Sequence, residues 1–347
     1  MAGVPVRVLI ADDEQSAAAG TTAVLESGDG FELVGVAADA DRAARLAASE
    51  HPDVALVNAD ANGGGDATVR AILSASPGTH VLVHSGPSRH NGVLRGLLEQ
   101  VQAANRDREA MITKRARIRR VMERRELDIV FQPIVALDTR EIVGYEALSR
   151  FAGEPQRGPD EWFAEAHEVG LGPELELAAI RLACERSSML SEGMFMAVNV
   201  SPVTAERPEL LSLLAGCKVN EVVLEVTEHA QLEDYRRFRV AIERVREMGA
   251  RLAVDDAGAG FSSLRHVLEL DAELIKLDGS LTQSLESDPR RRSLASALIE
   301  FGREAGASVL AEHIESELQL VELRRLGVHY GQGFHLGRPE RVPAAVA

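Results

Sequence analysis

The first 85 residues alternate short apolar runs with alanine-rich segments of helical character. The apolar runs are VRVLIA, FELVGVA, DVALVNA and HVLVHS, and the intervening segments begin near Gln15, Asp41 and Ala67. Strands that alternate with helices in this way are typical of a parallel sheet covered on both faces. The pattern therefore predicts an N-terminal α/β domain over residues 1–90.

A charged, helix-favouring stretch follows, and we assign residues 91–125 to a helical linker. Positions at three- and four-residue spacing along it are apolar at Leu94, Leu97, Val101, Ala104, Met111, Ile118 and Met122, with charged interruptions at Arg108 and Arg115. A continuous helix of this length would span about 50 Å. Two interpretations remain open: a coiled coil between paired subunits, or one amphipathic helix that packs on its own domain.

The end of the linker is rich in arginine, which raises the question of nucleic-acid or lipid binding. The basic residues are Arg115, Arg117, Arg119, Arg120, Arg124 and Arg125. Glu109, Glu123 and Glu126 are interleaved with them, and mixed charge of this kind favours a solvated helix face.

A second alternation of strands and helices runs from residue 126 to residue 347. Its strand candidates are IVFQPIVAL, IVGYEALSRF, MFMAVNVS, EVVLEVTE, RLAVDDA, ELIKLD, SVLAEHI and HYGQGF. Eight strands with intervening helices predict a (β/α)8, TIM-like barrel. The first two candidates are joined by only a short turn near residues 138–141, so this pair should be antiparallel.

Polar side chains stand at the carboxyl ends of these predicted strands, where barrel active sites assemble. They are Glu146, Asn199, Glu225, Asp255, Asp256, Lys276, Glu312 and Gln332. Each alone could cap a helix or shape a turn, but together the carboxylates would repel one another unless cations lay between them. Oxygen ligands without His or Cys select Mg²⁺ or Mn²⁺ over Zn²⁺.

Composition narrows the choice of partners and compartment. The chain has 347 residues, 45% of them hydrophobic, and a formal net charge of −16. That length suits two domains, and the charge argues against DNA as a partner. Cys184 and Cys217 lack metal-ligand spacing and are expected to be reduced thiols. No apolar run is long enough to span a membrane, so we expect a cytoplasmic protein.

The second domain resembles the EAL family of cyclic di-GMP phosphodiesterases. The family's motifs occur here in order as FQPIV, EALSR, NVSP, LEVTE, VDDAGAGFSSL, IKLD, AEHIE and QGFHLGRP. The resemblance implies hydrolysis of cyclic di-GMP to linear 5′-pGpG with two bound metal ions, and a homodimer. The rival functions are a catalytically inactive cyclic di-GMP receptor and a purely structural signalling scaffold.

The same resemblance assigns a role to individual residues. Glu146, Asn199, Glu225 and Asp255 would bind one metal ion, and Asp256 would help to hold the second. The attacking water would be positioned and activated by Lys276 and Glu312. The substrate contacts would be Gln132, Leu148, Arg150 and Gln332, and Glu228 would anchor the loop after Asp256. The chain departs from the usual pattern at three positions, none of which is a ligand: Ala257 stands where phenylalanine is usual, Ala259 where threonine is usual and His313 where glycine is usual.

The N-terminal domain resembles a response-regulator receiver, which has the flavodoxin-like fold. The resemblance rests on the acidic triplet Asp12, Asp13 and Glu14 after the first strand and on Ser85 after the fourth. Asn58 stands where the phosphoacceptor aspartate would be, and no fifth strand ending in lysine is found. We therefore expect a truncated, degenerate receiver that is not phosphorylated on aspartate and whose protein partner is unknown.

Overall fold

The chain folds into two compact units. The computed structural model describes residues 5–26, 30–60, 65–85, 91–217, 221–227, 235–257, 262–283, 285 and 287–341. The units are Met1–Ile112 and Thr113–Ala347. Both are α/β, as the strand and helix pattern predicts. The proposed domain limits near residues 90 and 125 stay predictions.

The first unit contains a parallel sheet. Its elements are β1 (Val6–Ala11), α1 (Gln15–Glu26), β2 (Phe31–Ala37), α2 (Ala40–Glu50), β3 (Val54–Asn58), α3 (Gly65–Ala75) and β4 (His80–His84). The strand order is β2-β1-β3-β4, with every pair parallel. This order matches the first four strands of the flavodoxin-like arrangement. Apolar side chains alternate along β1, so that Val8 and Ile10 face one core and Leu9 and Ala11 face another.

The predicted linker forms α4 (Asn91–Glu123), a helix of 33 residues. Near its end, Ile118 and Val121 are fully buried in the core of the second unit. Met111 and Ile112, about two turns earlier, are 38% and 60% exposed. The C-terminal part of α4 therefore packs on its own domain, as the second interpretation of the linker proposed.

The second unit is built from β5 to β12. Its strands are β5 (Leu127–Ala136), β6 (Ile142–Phe151), β7 (Phe195–Asn199), β8 (Val222–Thr227), β9 (Arg251–Ala257), β10 (Leu274–Leu277), β11 (Ser308–Ala311) and β12 (Tyr330–Gly331). Its helices are α5 (Pro159–Glu168), α6 (Gly172–Ser187), α7 (Pro202–Ala205), α8 (Pro208–Leu214), α9 (Tyr235–Glu247), α10 (Ser262–Leu270), α11 (Gly279–Thr282), α12 (Pro289–Glu304) and α13 (Glu317–Arg325).

These strands close into a barrel in the order β10-β11-β12-β5-β6-β7-β8-β9. β5 is antiparallel to both of its neighbours, β6 and β12, and the other pairs are parallel. The predicted TIM-like barrel with an antiparallel first pair is thereby confirmed. Sequence reasoning did not identify α5, α7, α8, α10 or α11, which are short or lie close to another element.

The basic side chains at the C-terminal end of α4 contact other residues of the second unit, so they do not all point to solvent. Arg117 Nη1 lies 3.1 Å from Glu165 Oε2, and Lys114 Nζ lies 2.7 Å from Glu168 Oε2. Arg120 donates to the Glu154 carbonyl. These contacts hold α4 against α5 and the segment before it.

Cys184 and Cys217 form a disulfide, so the expectation of reduced thiols is wrong. The two Cα atoms are 5.5 Å apart although the residues are separated by 33 positions in the sequence. Cys184 lies in α6 and Cys217 follows α8, and these helices pack together beside β7. The pairing depends on this tertiary contact, which no local cysteine spacing encodes.

Reduction of the disulfide should lower stability. Because the bond closes a loop of 33 residues, its loss should cost about 3 to 4 kcal/mol through the greater entropy of the unfolded chain. Urea unfolding with and without reductant measures the loss. The Cys184→Ser/Cys217→Ser double variant should show the same reduced midpoint and no further response to reductant. An unchanged wild-type midpoint on reduction would contradict this prediction.

Candidate metal and catalytic site

The alternation of the barrel strands places the predicted polar residues in one layer. An apolar layer fills the barrel interior and consists of Ile134, Phe195, Ala197, Val223, Ala253, Leu274 and Leu310. Side chains two residues apart on a strand share a face. Each of these strands therefore carries its polar residue directly above the apolar layer, as in the steps from Ala253 to Asp255, from Leu274 to Lys276 and from Leu310 to Glu312.

Asp255 and Asp256 need a local distortion to face the same site, because adjacent residues of a regular strand point to opposite faces. Asp256 has φ 58, in the left-handed region. The register between β9 and β10 shifts at this point, with Ile275 opposite Val254 and Leu277 opposite Ala257. This bulge turns the second carboxylate inward. One oxygen from each of Asp255, Asp256 and Glu312 consequently lies within 4.8 Å of the others.

Lys276 lies at the centre of the carboxylates and is 1% exposed. Its Nζ is 2.9 Å from Glu312, 3.0 Å from Glu225, 3.1 Å from Asp255 and 3.7 Å from Glu146. Burial alone would lower the pKa of Lys276, but the four carboxylates together raise it well above its ordinary value. The lysine is therefore held as a cation that partly offsets the negative charge of the site.

The negative charge that Lys276 does not offset is still destabilising, as the raised pKa values of two neighbouring carboxyl groups show. Burial raises the pKa of Glu225 well above its usual range, against the attraction of Lys276. Burial likewise raises the pKa of the Glu312 carboxyl to about 7, again opposed by Lys276. One cation does not compensate this many buried carboxylates.

The oxygen atoms that converge at this site are suitable ligands for a divalent cation. Glu225 is 0% exposed, and its Oε1 atom has no hydrogen-bond partner within the described part of the chain. A buried oxygen without a partner is destabilising unless a ligand satisfies it. The converging donors are oxygen atoms of carboxylates and of one amide, which suit hard cations such as Mg²⁺ and Mn²⁺. Asn199 belongs to this set, since its Nδ2 donates to Glu146 Oε1 at 3.3 Å.

A cavity of about 640 Å³ opens beside this layer. Its wall includes Glu146, Asn199, Asp255 and Asp256, and also the predicted substrate contacts Leu148 and Arg150. The Arg150 side chain is exposed, and its Nη1 donates to the Ser149 carbonyl at 2.8 Å. Pockets of this size commonly bind small molecules.

The two glutamines assigned to substrate binding both lie next to Glu146. Gln332 Nε2 donates to Glu146 Oε2 at 2.6 Å, and Gln332 is 4% exposed. Gln132 pairs with Glu146 across β5 and β6 and donates to the Gly337 carbonyl at 3.2 Å. In this structure Gln332 orients a candidate metal ligand, and Gln132 holds the C-terminal segment.

The structure also locates two of the three departures from the family pattern. Ala257 is fully buried. His313 has φ 55. It packs closely on Gly279, because a Cβ added to Gly279 would lie only 2.6 Å from the His313 Nδ1 atom. A left-handed φ is strained for a residue with a side chain, which explains why glycine suits position 313. Glu228 and Ala259 lie outside the described residues.

The residue at the expected phosphoacceptor position of the first unit is a neutral asparagine, and its side chain forms local hydrogen bonds. Asn58 ends β3, and its Nδ2 donates to Asp12 Oδ1 at 3.1 Å. Its Oδ1 accepts the Asp60 N–H at 3.0 Å. Asp60 itself is exposed in a turn beyond the strand.

Sequence reasoning missed a pair of polar residues in the cavity wall. His167 Nε2 lies 2.8 Å from Glu176 Oε1, and both residues line the cavity. Neither lies at a strand end, which was the signal used to select candidates. Glu176 could have been found as the acidic residue on the otherwise apolar face of α6.

The fold and site define a TIM-like barrel with a candidate divalent-metal centre at the carboxyl ends of its strands. Residues 115–339 match the EAL domain family. The chain belongs to that family. In the described part of the chain, no helix is both long and apolar enough to cross a bilayer.

Several curated relatives carry names that describe an activity, among them the following two. The chain is 31% identical over 246 residues to the bifunctional diguanylate cyclase/cyclic di-GMP phosphodiesterase MucR of Pseudomonas aeruginosa, covering 66% of this chain and 36% of the relative. It is 27% identical over 252 residues to the cyclic di-GMP phosphodiesterase PdeF of Escherichia coli, covering 69% and 33%. The chain thus spans about a third of the length of these relatives.

Solved structures show the same barrel. The PaMucR phosphodiesterase in complex with c-di-GMP is 30% identical, with a TM-score of 0.59, covering 66% of this chain and 97% of that one. The Klebsiella pneumoniae BlrP1 complex with manganese and c-di-GMP is 25% identical, with a TM-score of 0.55, covering 62% and 56%. The first of these relatives therefore aligns over almost its whole chain.

Proposed function

We propose that this protein is a divalent-metal-dependent phosphodiesterase that hydrolyses cyclic di-GMP to linear 5′-pGpG. The observation that carries the proposal is the convergence of carboxylate oxygens at one barrel mouth, where the proposed ligands Asp255 and Asp256 and the proposed base Glu312 contribute oxygens within 4.8 Å of one another. The names of MucR and PdeF and the nucleotide bound in the PaMucR structure support this choice of substrate.

The chain's residues would divide the chemistry among them. Glu146, Asn199, Glu225 and Asp255 would hold one cation, and Asp256 would help to hold a second, either Mg²⁺ or Mn²⁺. Bound cations at such a site neutralise the phosphodiester oxygens and lower the pKa of a water molecule. Gln332 would keep Glu146 in its ligand orientation through the hydrogen bond already described.

Proton transfer and substrate binding fall to the remaining residues. Glu312 would act as the general base, since burial raises the pKa of its carboxyl to about 7, which suits proton transfer near neutral pH. Lys276 Nζ lies 2.9 Å from it and would orient its carboxylate. Arg150, exposed at the cavity, can form a paired hydrogen bond to a phosphate, and Leu148 would pack on the nucleotide.

The alternative is an inactive receptor that binds cyclic di-GMP without cleaving it. A product assay with Mg²⁺ or Mn²⁺ separates the two functions, since only the enzyme releases pGpG. Calorimetric titration with nucleotide and Ca²⁺ then distinguishes a receptor from a protein that binds no nucleotide. Absence of pGpG after hours, together with nucleotide binding, would replace the enzyme proposal with the receptor.

We also propose that the protein is a homodimer. Met111 and Ile112 are apolar and exposed on α4, and association would bury such surface. Light scattering at high micromolar concentration should give twice the chain mass, and a monomeric mass with and without nucleotide would contradict the dimer.

We propose further that the first unit is a degenerate receiver that does not use aspartyl phosphorylation. An acyl phosphate requires a carboxylate nucleophile. Asn58 has an amide side chain instead, which is hydrogen-bonded to the Asp12 carboxylate and to the Asp60 backbone N–H. Incubation with acetyl phosphate and Mg²⁺ should therefore leave the intact mass unchanged. An added phosphoryl group on the wild type that is lost in Asp60→Ala would contradict this prediction. Restoring the acceptor with Asn58→Asp should still not couple phosphorylation to hydrolysis of cyclic di-GMP, because the fifth strand that carries the receiver's lysine is not found in the sequence.

A further inference from the structure

One buried carboxylate holds the segment that follows Asn199. Glu176, in α6, is 7% exposed and accepts the Ser201 backbone N–H at 2.8 Å. The Ser201 hydroxyl donates to Thr204 Oγ1 at 3.1 Å. Ser201 is the N-cap of α7 and comes two residues after Asn199. Glu176 therefore fixes the backbone where β7 passes into α7.

The Val200 N–H between these two residues donates to the Glu225 carbonyl at 2.9 Å. The segment is thus held from β8 on one side and from α6 on the other. The contact from β8 uses the backbone carbonyl of Glu225, which is itself a candidate ligand. The contact from α6 uses the Glu176 side chain, which can be substituted without changing a candidate ligand.

His167, at the end of α5, completes this arrangement. Its Nε2 lies 2.8 Å from Glu176 Oε1, while Glu176 Oε2 accepts the Ser201 N–H. Burial would raise the pKa of Glu176, but the hydrogen bonds from His167 and Ser201 lower it below its ordinary value. The hydrogen bond to Glu176 raises the pKa of His167. Both pKa shifts therefore favour an ionised Glu176 carboxylate that accepts a hydrogen bond from a protonated His167.

We propose that Glu176 is a positioning residue that directs the Asn199 side chain toward the metal site, with His167 fixing the orientation of its carboxylate. The inference rests on the proposed function, in which Asn199 is a metal ligand. Residues that orient ligands from outside the coordination sphere typically change metal affinity by about 10- to 100-fold when removed.

Calorimetric titration of the full chain with Mn²⁺ tests this role without requiring turnover. Glu176→Ala and Glu176→Asp should each weaken Mn²⁺ binding about tenfold, because neither side chain reaches the Ser201 N–H. Glu176→Gln should stay within about threefold of the wild type, since its amide oxygen keeps both the reach and the acceptor. Rescue by glutamine but not by aspartate is a pattern that loss of charge alone would not produce.

Two control variants separate positioning from general effects on α6. Glu174→Ala changes a carboxylate on the same helix whose side chain is 44% exposed and lies 3.9 Å from Arg207. Glu185→Ala changes an exposed carboxylate farther along the same helix. Both should bind Mn²⁺ as the wild type does. Circular dichroism establishes that each variant is folded.

The possible outcomes are distinguishable. A folded Glu176→Ala variant with wild-type Mn²⁺ affinity would overturn the positioning role while leaving the proposed function intact. If that variant does not fold, equal affinities of the aspartate and glutamine variants would overturn it instead. A wild-type protein that binds no Mn²⁺ would overturn the metal site and this inference together.

Discussion

Glu146→Ala should reduce hydrolysis of cyclic di-GMP by about 10²- to 10³-fold, an effect typical of removing a charge-stabilising group from a catalytic site. Glu146 is 7% exposed and contacts Asn199, Gln332 and Lys276. Its removal opens the candidate metal shell and leaves the Gln332 amide without its acceptor. The formation of pGpG at saturating Mn²⁺ measures the loss.

The isosteric variant Glu146→Gln distinguishes charge from shape. It keeps the volume and a hydrogen-bonding group but removes the negative charge, so it should be nearly as inactive as the alanine variant. Glu141→Ala is the matched control, because Glu141 is exposed just before β6 and should be replaceable without loss. Wild-type turnover by either Glu146 variant would exclude Glu146 from the metal shell.

The polar layer of the barrel could be predicted from the sequence because it follows from strand periodicity. A strand that alternates inward and outward positions places a residue above the inner apolar layer two positions later. Leu274 and Lys276 show this step on one strand, and Leu310 and Glu312 show it on the adjacent strand. The strand ends alone were sufficient to select these residues.

Other features depend on tertiary contacts or on local departures from regular structure. The inward direction of Asp256 requires a left-handed φ within a strand, which an aspartate permits but does not encode. The disulfide requires α6 and α8 to pack together. The contact between His167 and Glu176 joins two helices, and neither residue belongs to a motif that the sequence displays. The direction of Gln332 toward Glu146 likewise depends on barrel closure.

Lys276→Met should destabilise the metal-free protein strongly and also abolish turnover. The lysine Nζ lies within 3.1 Å of Glu225, Asp255 and Glu312, and Glu225 is 0% exposed. Removing one partner from a buried ionic network typically costs about 3 to 5 kcal/mol, because the opposite charges are left uncompensated. In a domain of this size the loss corresponds to a Tm lowered by roughly 10 °C.

The metal dependence of this loss is its most specific feature. Divalent cations that bind the same carboxylates would replace part of the missing positive charge, so Mn²⁺ should raise the Tm of Lys276→Met more than that of the wild type. Turnover should not return, because Glu312 would still lack its lysine partner. Lys114→Met is the control: this lysine pairs with Glu168 at the surface, and exposed pairs contribute at most about 1 kcal/mol. A Lys276→Met variant whose Tm in EDTA equals that of the wild type would show that the carboxylates do not need this cation.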